Sequence, residues 1–128
     1  MVVDSSALVA IVLLEVTAIG HISKLSNASS LSISTVSLVE TSTVLLSRGG
    51  QTKVDILDVL LAEYGFEIVP VDLAQAHLAR QAYERYGKGR DKAGLNLGDC
   101  FSYALAKYYG EPLLFQGNDF GRTDVAVA

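Results

Sequence analysis

The sequence predicts an α/β fold: a three-layer α/β/α sandwich with a central, mainly parallel sheet of about five short strands. Half of the 128 residues are hydrophobic and only 19% are charged, which suits a sheet buried on both faces better than one with a solvated face. Short apolar runs alternate with segments of helical periodicity, as in right-handed βαβ crossovers. At this length we expect a single domain spanning residues 1–128.

The first elements follow from short apolar runs and cap residues. Met1 to Val3 predicts a strand. Ser5 or Ser6 can then cap a helix whose apolar stripe extends to Leu14. Ile19 to Leu25 predicts a second, short helix. Asp4 therefore lies at the carboxyl end of the first predicted strand.

The middle of the chain predicts one strand followed by two helices. Leu31 to Ser34 is the strand, and Ser34 or Thr35 caps a helix that reaches Arg48 and ends at Gly49-Gly50. Thr52 can cap the next helix, which we expect to end near Tyr64.

The last part of the chain predicts three strands and two helices. Asp72 and Asn96 are the expected helix caps, and the glycine-rich segment 87–92 is an expected loop. The expected elements are strands at Phe66–Val71, Leu113–Phe115 and Val125–Val127, the last at the sheet edge, and helices at Leu73–Tyr86 and Asn96–Tyr109.

The charge pattern limits how this protein can bind nucleic acid. A net charge of −4 argues against binding by bulk electrostatics alone. Half of the cations nevertheless fall in a short stretch, which is either a phosphate-facing patch or a solvated helix end and loop. The stretch comprises Arg80, Arg85, Lys88, Arg90 and Lys92.

Apolar segments and cysteine content indicate a cytoplasmic protein without membrane contact. The longest apolar stretch, Val2 to Leu14, is interrupted by Asp4 and two serines and is shorter than the roughly 20 residues of a bilayer span. It also lacks the basic flank of a signal peptide. The single cysteine, Cys100, excludes an internal disulfide.

Four acidic residues stand among apolar neighbours or directly after apolar segments. Asp4 and Asp119 follow predicted strands, and open parallel sheets collect ligands beyond the carboxyl ends of their strands. Glu40 shares a helix face with Val36 and Val44, where an unpaired buried carboxylate costs several kcal/mol. The fourth acid, Asp99, lies near the start of a predicted helix.

Each acid also has a structural interpretation. Asp4 could be a helix cap or an Asx turn, and Asp119 an ordinary turn residue. Asp99 could close a capping box as the third residue after its cap. Glu40 could be neutralised by Arg48 or by the hydroxyl of Thr43.

Convergence of these acids would require a proton or a cation. Two unit charges about 4 Å apart repel by about 4 kcal/mol at an effective dielectric near 20. Oxygen ligands favour Mg²⁺ or Mn²⁺, and such an ion can activate water for attack on a phosphodiester. The sequence leaves open whether one or two ions bind.

Other catalytic chemistries find less support. His21 and His77 are far apart and belong to no motif with ligand spacing, and Cys100 follows Asp99 inside a predicted helix, where a small buried hydrophobe is usual. No phosphate-binding loop of the GxxxxGK[ST] type occurs.

Taken together, these features resemble the PIN-domain family and, within it, the VapC-type toxins of toxin-antitoxin pairs. The resemblance spans nearly the whole chain and is carried by the segments MVVDSSALVAIVL, SISTVSLVETSTVLLSRGG and YGKGRDKAGLNLGDCFSYALAKYYGEPLLFQGNDFGRTDV. It implies a PIN-like fold and a Mg²⁺-dependent endoribonuclease that cuts structured RNA, either tRNA or rRNA, with Mn²⁺ as a possible substitute.

The resemblance also implies roles for individual residues. Asp4 and Asp99 are similar to the principal metal ligands, Glu40 to the acid that completes the set, and Asp119 to a fourth acid. Further residues implied in substrate binding are Ser6, which would also steady the first acid, Arg85, Lys88 and Arg90 on the RNA backbone, and Asn118 or Thr123 at the rim.

The implied partners are a cognate VapB-type antitoxin and a second copy of the chain in a homodimer. The antitoxin would present a basic side chain to the acidic pocket. An amphipathic antitoxin helix could occupy a groove formed by residues that are otherwise ordinary core: Leu13, Leu14, Ile22, Leu25, Val54 and Leu57.

Two alternative functions stay open. One is a PIN-like binding module without catalytic turnover. The other is a phosphoacceptor signalling domain, although an acidic pair at the end of the first strand is lacking, because Ser6 stands two residues after Asp4.

Overall fold

A computed structural model describes all 128 residues and contains four parallel strands in the order β3-β2-β1-β4. The elements in chain order are β1 (Val2–Val3), α1 (Ser5–Val12), α2 (Ala18–Asn27), β2 (Ser32–Ser34), α3 (Thr35–Gly49), α4 (Gln51–Glu63), β3 (Glu67–Val69), α5 (Leu73–Tyr86), α6 (Leu97–Tyr109), β4 (Leu113–Leu114) and a 3₁₀ turn (Phe120–Arg122).

The sheet separates two hydrophobic cores. Successive strand residues point to opposite faces, so Val2 packs into one core with α5 and α6, and Val3 packs into the other with α1, α3 and α4. Leu113 and Leu114 divide in the same way. The predicted three-layer α/β/α architecture is therefore confirmed.

The number of strands differs from the prediction. The segment after the 3₁₀ turn contributes only one parallel bridge, between Val127 and Leu113. Leu113 donates to Ala126 O at 2.8 Å, and Ala128 donates back to Leu113 O at 3.0 Å. Because β4 is two residues long, it offers no room for a longer ladder, and the predicted fifth strand is reduced to this bridge.

Several predicted boundaries were wrong for local reasons. Asp4 caps α1 in place of Ser5 or Ser6, as its structural interpretation allowed, and its side chain accepts from the backbone of Ser6. The helix ends at Val12, and Leu14 lies outside it with a φ of 56° and 77% of its surface exposed. The sheet strand β3 stops at Val69, since Pro70 has no N–H to contribute to a ladder.

The boundary between α3 and α4 is set by glycine. Gly50 has a φ of 74° and is the cap of α4, which begins at Gln51 rather than after Thr52. The cap of α3 agrees with the prediction, because the Ser34 side chain accepts from Val36 N. Asp72 and Asn96 cap α5 and α6 as expected.

The apolar residues predicted to line a partner groove are mostly internal. Leu25 and Leu57 are 2% and 0% exposed and belong to the core. Leu13, Ile22 and Val54 are partly buried against that core, so only Leu14 is fully available. None of the helices combines the length and apolarity that crossing a lipid bilayer requires.

Candidate functional site

One cavity of about 410 Å³ brings together the four acids identified in the sequence. It opens where β1 and β4 end, with α3 and the first turn of α6 forming its sides. The lining residues are Asp4, Ser5, Ser6, Val9, Glu15, Glu40, Val44, Arg48, Asn96, Asp99, Gln116, Asp119 and Phe120. Residues that are distant along the chain thus share one acidic site.

Asp4 is the most deeply buried of the acids, with 1% of its surface exposed. Its Oδ2 accepts from Ser6 N at 2.9 Å and from Ser6 Oγ at 2.5 Å. Its Oδ1 accepts from Ser102 Oγ at 2.6 Å. These donors offset the cost of burying a carboxylate, and they fix its orientation toward the cavity.

The donors around Asp4 are themselves held in place. Ser102 Oγ also lies 2.8 Å from Ser37 Oγ, and Ser6 Oγ accepts from Gln116 N at 3.0 Å. The Gln116 side chain in turn contacts the buried ring of His21 through Oε1 and Nε2 at 2.9 Å. This chain of hydrogen bonds joins α1, α2 and the segment after β4 behind the carboxylate.

Glu40 has neither of the partners that the sequence suggested. The Thr43 hydroxyl donates to the backbone oxygen of Glu40, and Arg48 pairs with Glu15 at 3.8 Å. The carboxylate instead accepts a hydrogen bond from Ser5 Oγ. The structural interpretation of Glu40 is therefore not supported, and its partner is another residue of the cavity.

Gly98 makes the position of Glu40 possible. A Cβ atom on Gly98 would lie 1.9 Å from Glu40 Oε2 and 2.7 Å from Glu40 Cδ. The carboxylate therefore rests directly on the first turn of α6. The N-terminal end of a helix is electropositive and favours an anion there.

Asp99 fulfils its structural role and faces the acidic cavity as well. It forms the predicted capping box, in which Asp99 N donates to Asn96 Oδ1 and Asn96 N donates to Asp99 Oδ2, both at 2.9 Å. Burial, followed by the charges of Asp4, Glu40 and Asp119, raises the pKa of Asp99 from 3.8 to about 7, against the opposing effect of the Asn96 backbone.

Asp119 is the exposed member of the set. It stands before the 3₁₀ turn and makes no side-chain cap bond. Phe120, 3% exposed, packs on Phe115 with ring centroids 5.1 Å apart, and this contact anchors the turn. The contact holds the backbone of the turn, and the Asp119 side chain is exposed and forms no hydrogen bond.

The residues implied in RNA binding lie elsewhere, apart from Ser6. Arg85 is 3.7 Å from Asp124 and stacks 4.9 Å above the ring of Tyr86. Arg90 Nε donates to a backbone oxygen at 3.3 Å, and Lys88 is exposed. Neither these three cations nor Asn118 line the acidic cavity.

The sequence analysis missed several residues that complete the cavity. Ser5, Ser102 and Gln116 supply hydrogen bonds to the acids or to Ser6, and Gly98 supplies space. Only Ser102 had a recognisable pattern, because it follows Asp99 by three residues and so shares a face of α6 with it. The others depend on contacts between distant segments.

The side chains of the cavity could coordinate a hard divalent cation. All of its acidic side chains offer oxygen atoms, and neither His21, His77 nor Cys100 lines the cavity, which disfavours zinc and other metals that prefer nitrogen or sulfur ligands. No three of these side chains converge closely enough to hold an ion as they stand. Asp99 Oδ1 and Glu40 Oε2 accept no hydrogen bond from the protein, so both retain ligating capacity.

The raised pKa of Asp99 predicts an unusual pH dependence of stability. Between pH 3.8 and about 7 the folded protein retains a proton that the unfolded chain releases, so the free energy of unfolding falls as pH rises through this window. In EDTA, Asp99→Asn should be more stable than the wild type at pH 8, by on the order of 1–3 kcal/mol, and this advantage should shrink toward pH 5. Urea unfolding at both pH values measures it, and a pH-independent difference would contradict it.

Comparison with known proteins identifies relatives over the full length of the chain. Residues 1–126 match the PIN domain family. The chain is 50% identical over 127 residues to ribonuclease VapC of Mycolicibacterium smegmatis, covering 99% of this chain and 98% of that protein. It is 46% identical over 127 residues to ribonuclease VapC30 of Mycobacterium tuberculosis, covering 99% and 97%.

Solved structures share the fold at lower sequence identity. The sarcin-ricin loop cleaving toxin VapC20 of Mycobacterium tuberculosis superposes with a TM-score of 0.81 at 17% identity, covering 99% of this chain and 97% of that one. A toxin-antitoxin complex from Klebsiella pneumoniae gives a TM-score of 0.75 at 16% identity, covering 99% and 95%. By its family match and its full-length relatives, this chain belongs to the PIN-domain family and, within it, to the VapC group.

Proposed function

We propose that this chain is a metal-dependent endoribonuclease that hydrolyses phosphodiester bonds in structured RNA, either tRNA or rRNA. The observation that carries the proposal is the gathering of Asp4, Glu40, Asp99 and Asp119 in one cavity. Two relatives with 46% and 50% identity are named ribonucleases, which supports the same chemistry here.

In this proposal the cavity binds Mg²⁺, with Mn²⁺ as a substitute. Asp4 and Asp99 would be the principal ligands, and Glu40 and Asp119 would complete the acidic set around the ion. When bound, the ion supplies charge neutralisation at the phosphodiester and lowers the pKa of water. Such a role is consistent with Asp99, a carboxylate whose pKa is raised by burial and, to a smaller extent, by its acidic neighbours.

The protein side chains then orient the reactants. Ser6 and Ser102 hold the Asp4 carboxylate in one rotamer, and the capping box does the same for Asp99. Glu40 accepts a hydrogen bond from Ser5, and its carboxylate lies against Gly98. From this position it orients the attacking water and accepts its proton.

RNA contacts outside the cavity are assigned to exposed residues. Arg85, Lys88 and Arg90 are exposed, and we assign them to the RNA backbone, where cations position a substrate without reading its sequence. Asn118, adjacent to Asp119, is assigned to the rim. Ser6 contributes indirectly, because its hydrogen bonds hold the Asp4 carboxylate in place.

We further propose a VapB-type antitoxin as the partner of this chain. A basic side chain from an antitoxin would be attracted to a cavity lined by several carboxylates and would compete with a metal for it. One structural neighbour is a toxin-antitoxin complex and another is VapBC2 of Rickettsia felis, with a TM-score of 0.72. A homodimer and a cytoplasmic location are proposed on the family relationship alone.

Metal-dependent cleavage is the direct test of this function. Purified protein should cleave total tRNA or rRNA in Mg²⁺ and not in EDTA, because without the ion nothing neutralises the charge of the phosphodiester among the carboxylates. Asp4→Asn should reduce the rate at least roughly 100-fold. Asp58→Asn, which removes an equally charged but exposed carboxylate outside the cavity, should cleave normally. Equal cleavage with and without EDTA, or full activity of Asp4→Asn, would refute the proposal.

Gly98 offers a test of the role of Glu40 without altering any acid. In Gly98→Ala the new methyl group must displace the Glu40 carboxylate, so we expect cleavage and Mn²⁺ affinity to fall about 10- to 100-fold. Stability should change by no more than about 1 kcal/mol, since alanine suits a helix.

Gly20→Ala is the matched control for this substitution. Gly20 also lies in a helix, α2, and a Cβ there meets no atom within 4 Å. Cleavage kinetics and calorimetric Mn²⁺ titration should separate the two variants. If the two variants behaved alike, the contact between the Glu40 carboxylate and the first turn of α6 would not matter for cleavage or Mn²⁺ binding.

A further inference from the structure

The negative charge of the acidic cavity repels the proposed RNA substrate. Its lining carries Asp4, Glu15, Glu40, Asp99 and Asp119, whereas RNA approaches as a polyanion. Of the 10 lysines and arginines in the chain, only Arg48 lines this cavity. It is therefore the one fixed cation that an RNA strand would meet there.

Helix α3 places Arg48 at a defined distance from the acids. Glu40, Val44 and Arg48 follow one another at intervals of four residues and all line the cavity, so they share one face of the helix. Eight residues correspond to about 12 Å along the helix axis. Arg48 therefore lies on the same cavity wall as Glu40, about two helical turns away from the acids. A phosphate beside the reacting phosphodiester could reach it there.

The present partner of Arg48 is weakly held. Its Nη1 lies 3.8 Å from Glu15 Oε1, and the two side chains are 58% and 40% exposed. At this distance the pair is an ionic contact, and no hydrogen bond joins the two side chains. An exposed pair of this kind contributes little to stability, so the guanidinium can exchange Glu15 for another anion at small cost.

We propose that Arg48 binds an RNA phosphate that flanks the scissile one, and that Glu15 holds the guanidinium until RNA arrives. The proposal deepens the proposed function and rests on it for the position of the scissile bond. A guanidinium can bind two phosphate oxygens at once, and Glu15 lines the same cavity as a competing anion. Arg48 is thus a substrate-binding residue, and Glu15 acts through it.

The test measures RNA affinity separately from cleavage. Variants are made in the Asp4→Asn background, and binding of fluorescein-labelled total tRNA is followed by anisotropy in Mg²⁺ over a series of salt concentrations. Arg48→Gln should raise Kd about tenfold, and the slope of log K against log salt should fall by about 0.7. Arg48→Lys should lose less RNA affinity than Arg48→Gln, because lysine keeps the positive charge. Lys24→Gln, which removes a cation outside the cavity, should change neither quantity.

Glu15→Gln separates this role from a structural ion pair. If Glu15 competes with RNA for Arg48, Glu15→Gln should lower Kd, and the gain should disappear when Arg48→Gln is also present. If the pair were only structural, Arg48→Gln and Glu15→Gln should both lower the stability of the protein. Both variants should then also change RNA affinity in the same direction.

Three results would overturn the proposal: unchanged affinity in Arg48→Gln, a loss no greater than in Lys24→Gln, or a gain from Glu15→Gln that persists without Arg48. A wild-type protein that cleaves no RNA would remove the proposed function instead. The binding measurements need no turnover, so the two failures are distinguishable.

Discussion

Asp4, Glu40, Asp99 and Asp119 line one cavity, and their negative charges repel one another. Like charges at close range destabilise a fold unless hydrogen-bond donors, protons or cations compensate them. Here the compensation is distributed. Serine hydroxyls donate hydrogen bonds to Asp4 and Glu40, and the carboxylate of Glu40 also lies at the N-terminus of α6. Asp99 accepts a hydrogen bond in its capping box, and its raised pKa favours the neutral, protonated form.

The fold supplies this arrangement because its parallel strands end at one edge. Asp4 follows β1 directly and caps α1, while α6 presents its first turn to the same edge. Asp4 is buried and held by three hydrogen bonds, Asp99 is held by its capping box, and Asp119 lies exposed on a turn. The orientations of Asp4 and Asp99 are therefore set by the fold, whereas that of Asp119 is not set by any hydrogen bond.

Much of the architecture could be predicted from the sequence because it depends on local patterns. The caps Ser34, Asp72 and Asn96 act within a few residues, and both the helices and the three-layer arrangement follow from hydrophobic periodicity. Most errors in element boundaries had local causes, such as Pro70 after β3 and Gly50 before α4. The last predicted strand is reduced to one bridge because β4 is only two residues long, and Asp4 takes the place of the serines as the cap of α1 by accepting from Ser6 N.

The cavity itself was less predictable than the fold. The four acids could be selected one by one, since each stood in an unusual environment, but their hydrogen-bond partners could not. Ser5 meets Glu40 across 35 residues, and Ser102 meets Asp4 across 98. Arg48 is the clearest example: the sequence suggested it as a partner of Glu40, whereas the structure places it beside Glu15 on the cavity wall.

Calorimetric titration of the protein with Mn²⁺ at pH 6.5, repeated in buffers of different ionisation enthalpy, tests most directly whether these acids form one ion-binding site. The account predicts saturable binding accompanied by proton release, because Asp99 must give up its proton to become a ligand. Absence of binding, or binding that persists unchanged when Asp4 and Asp99 are both replaced by asparagine, would contradict it.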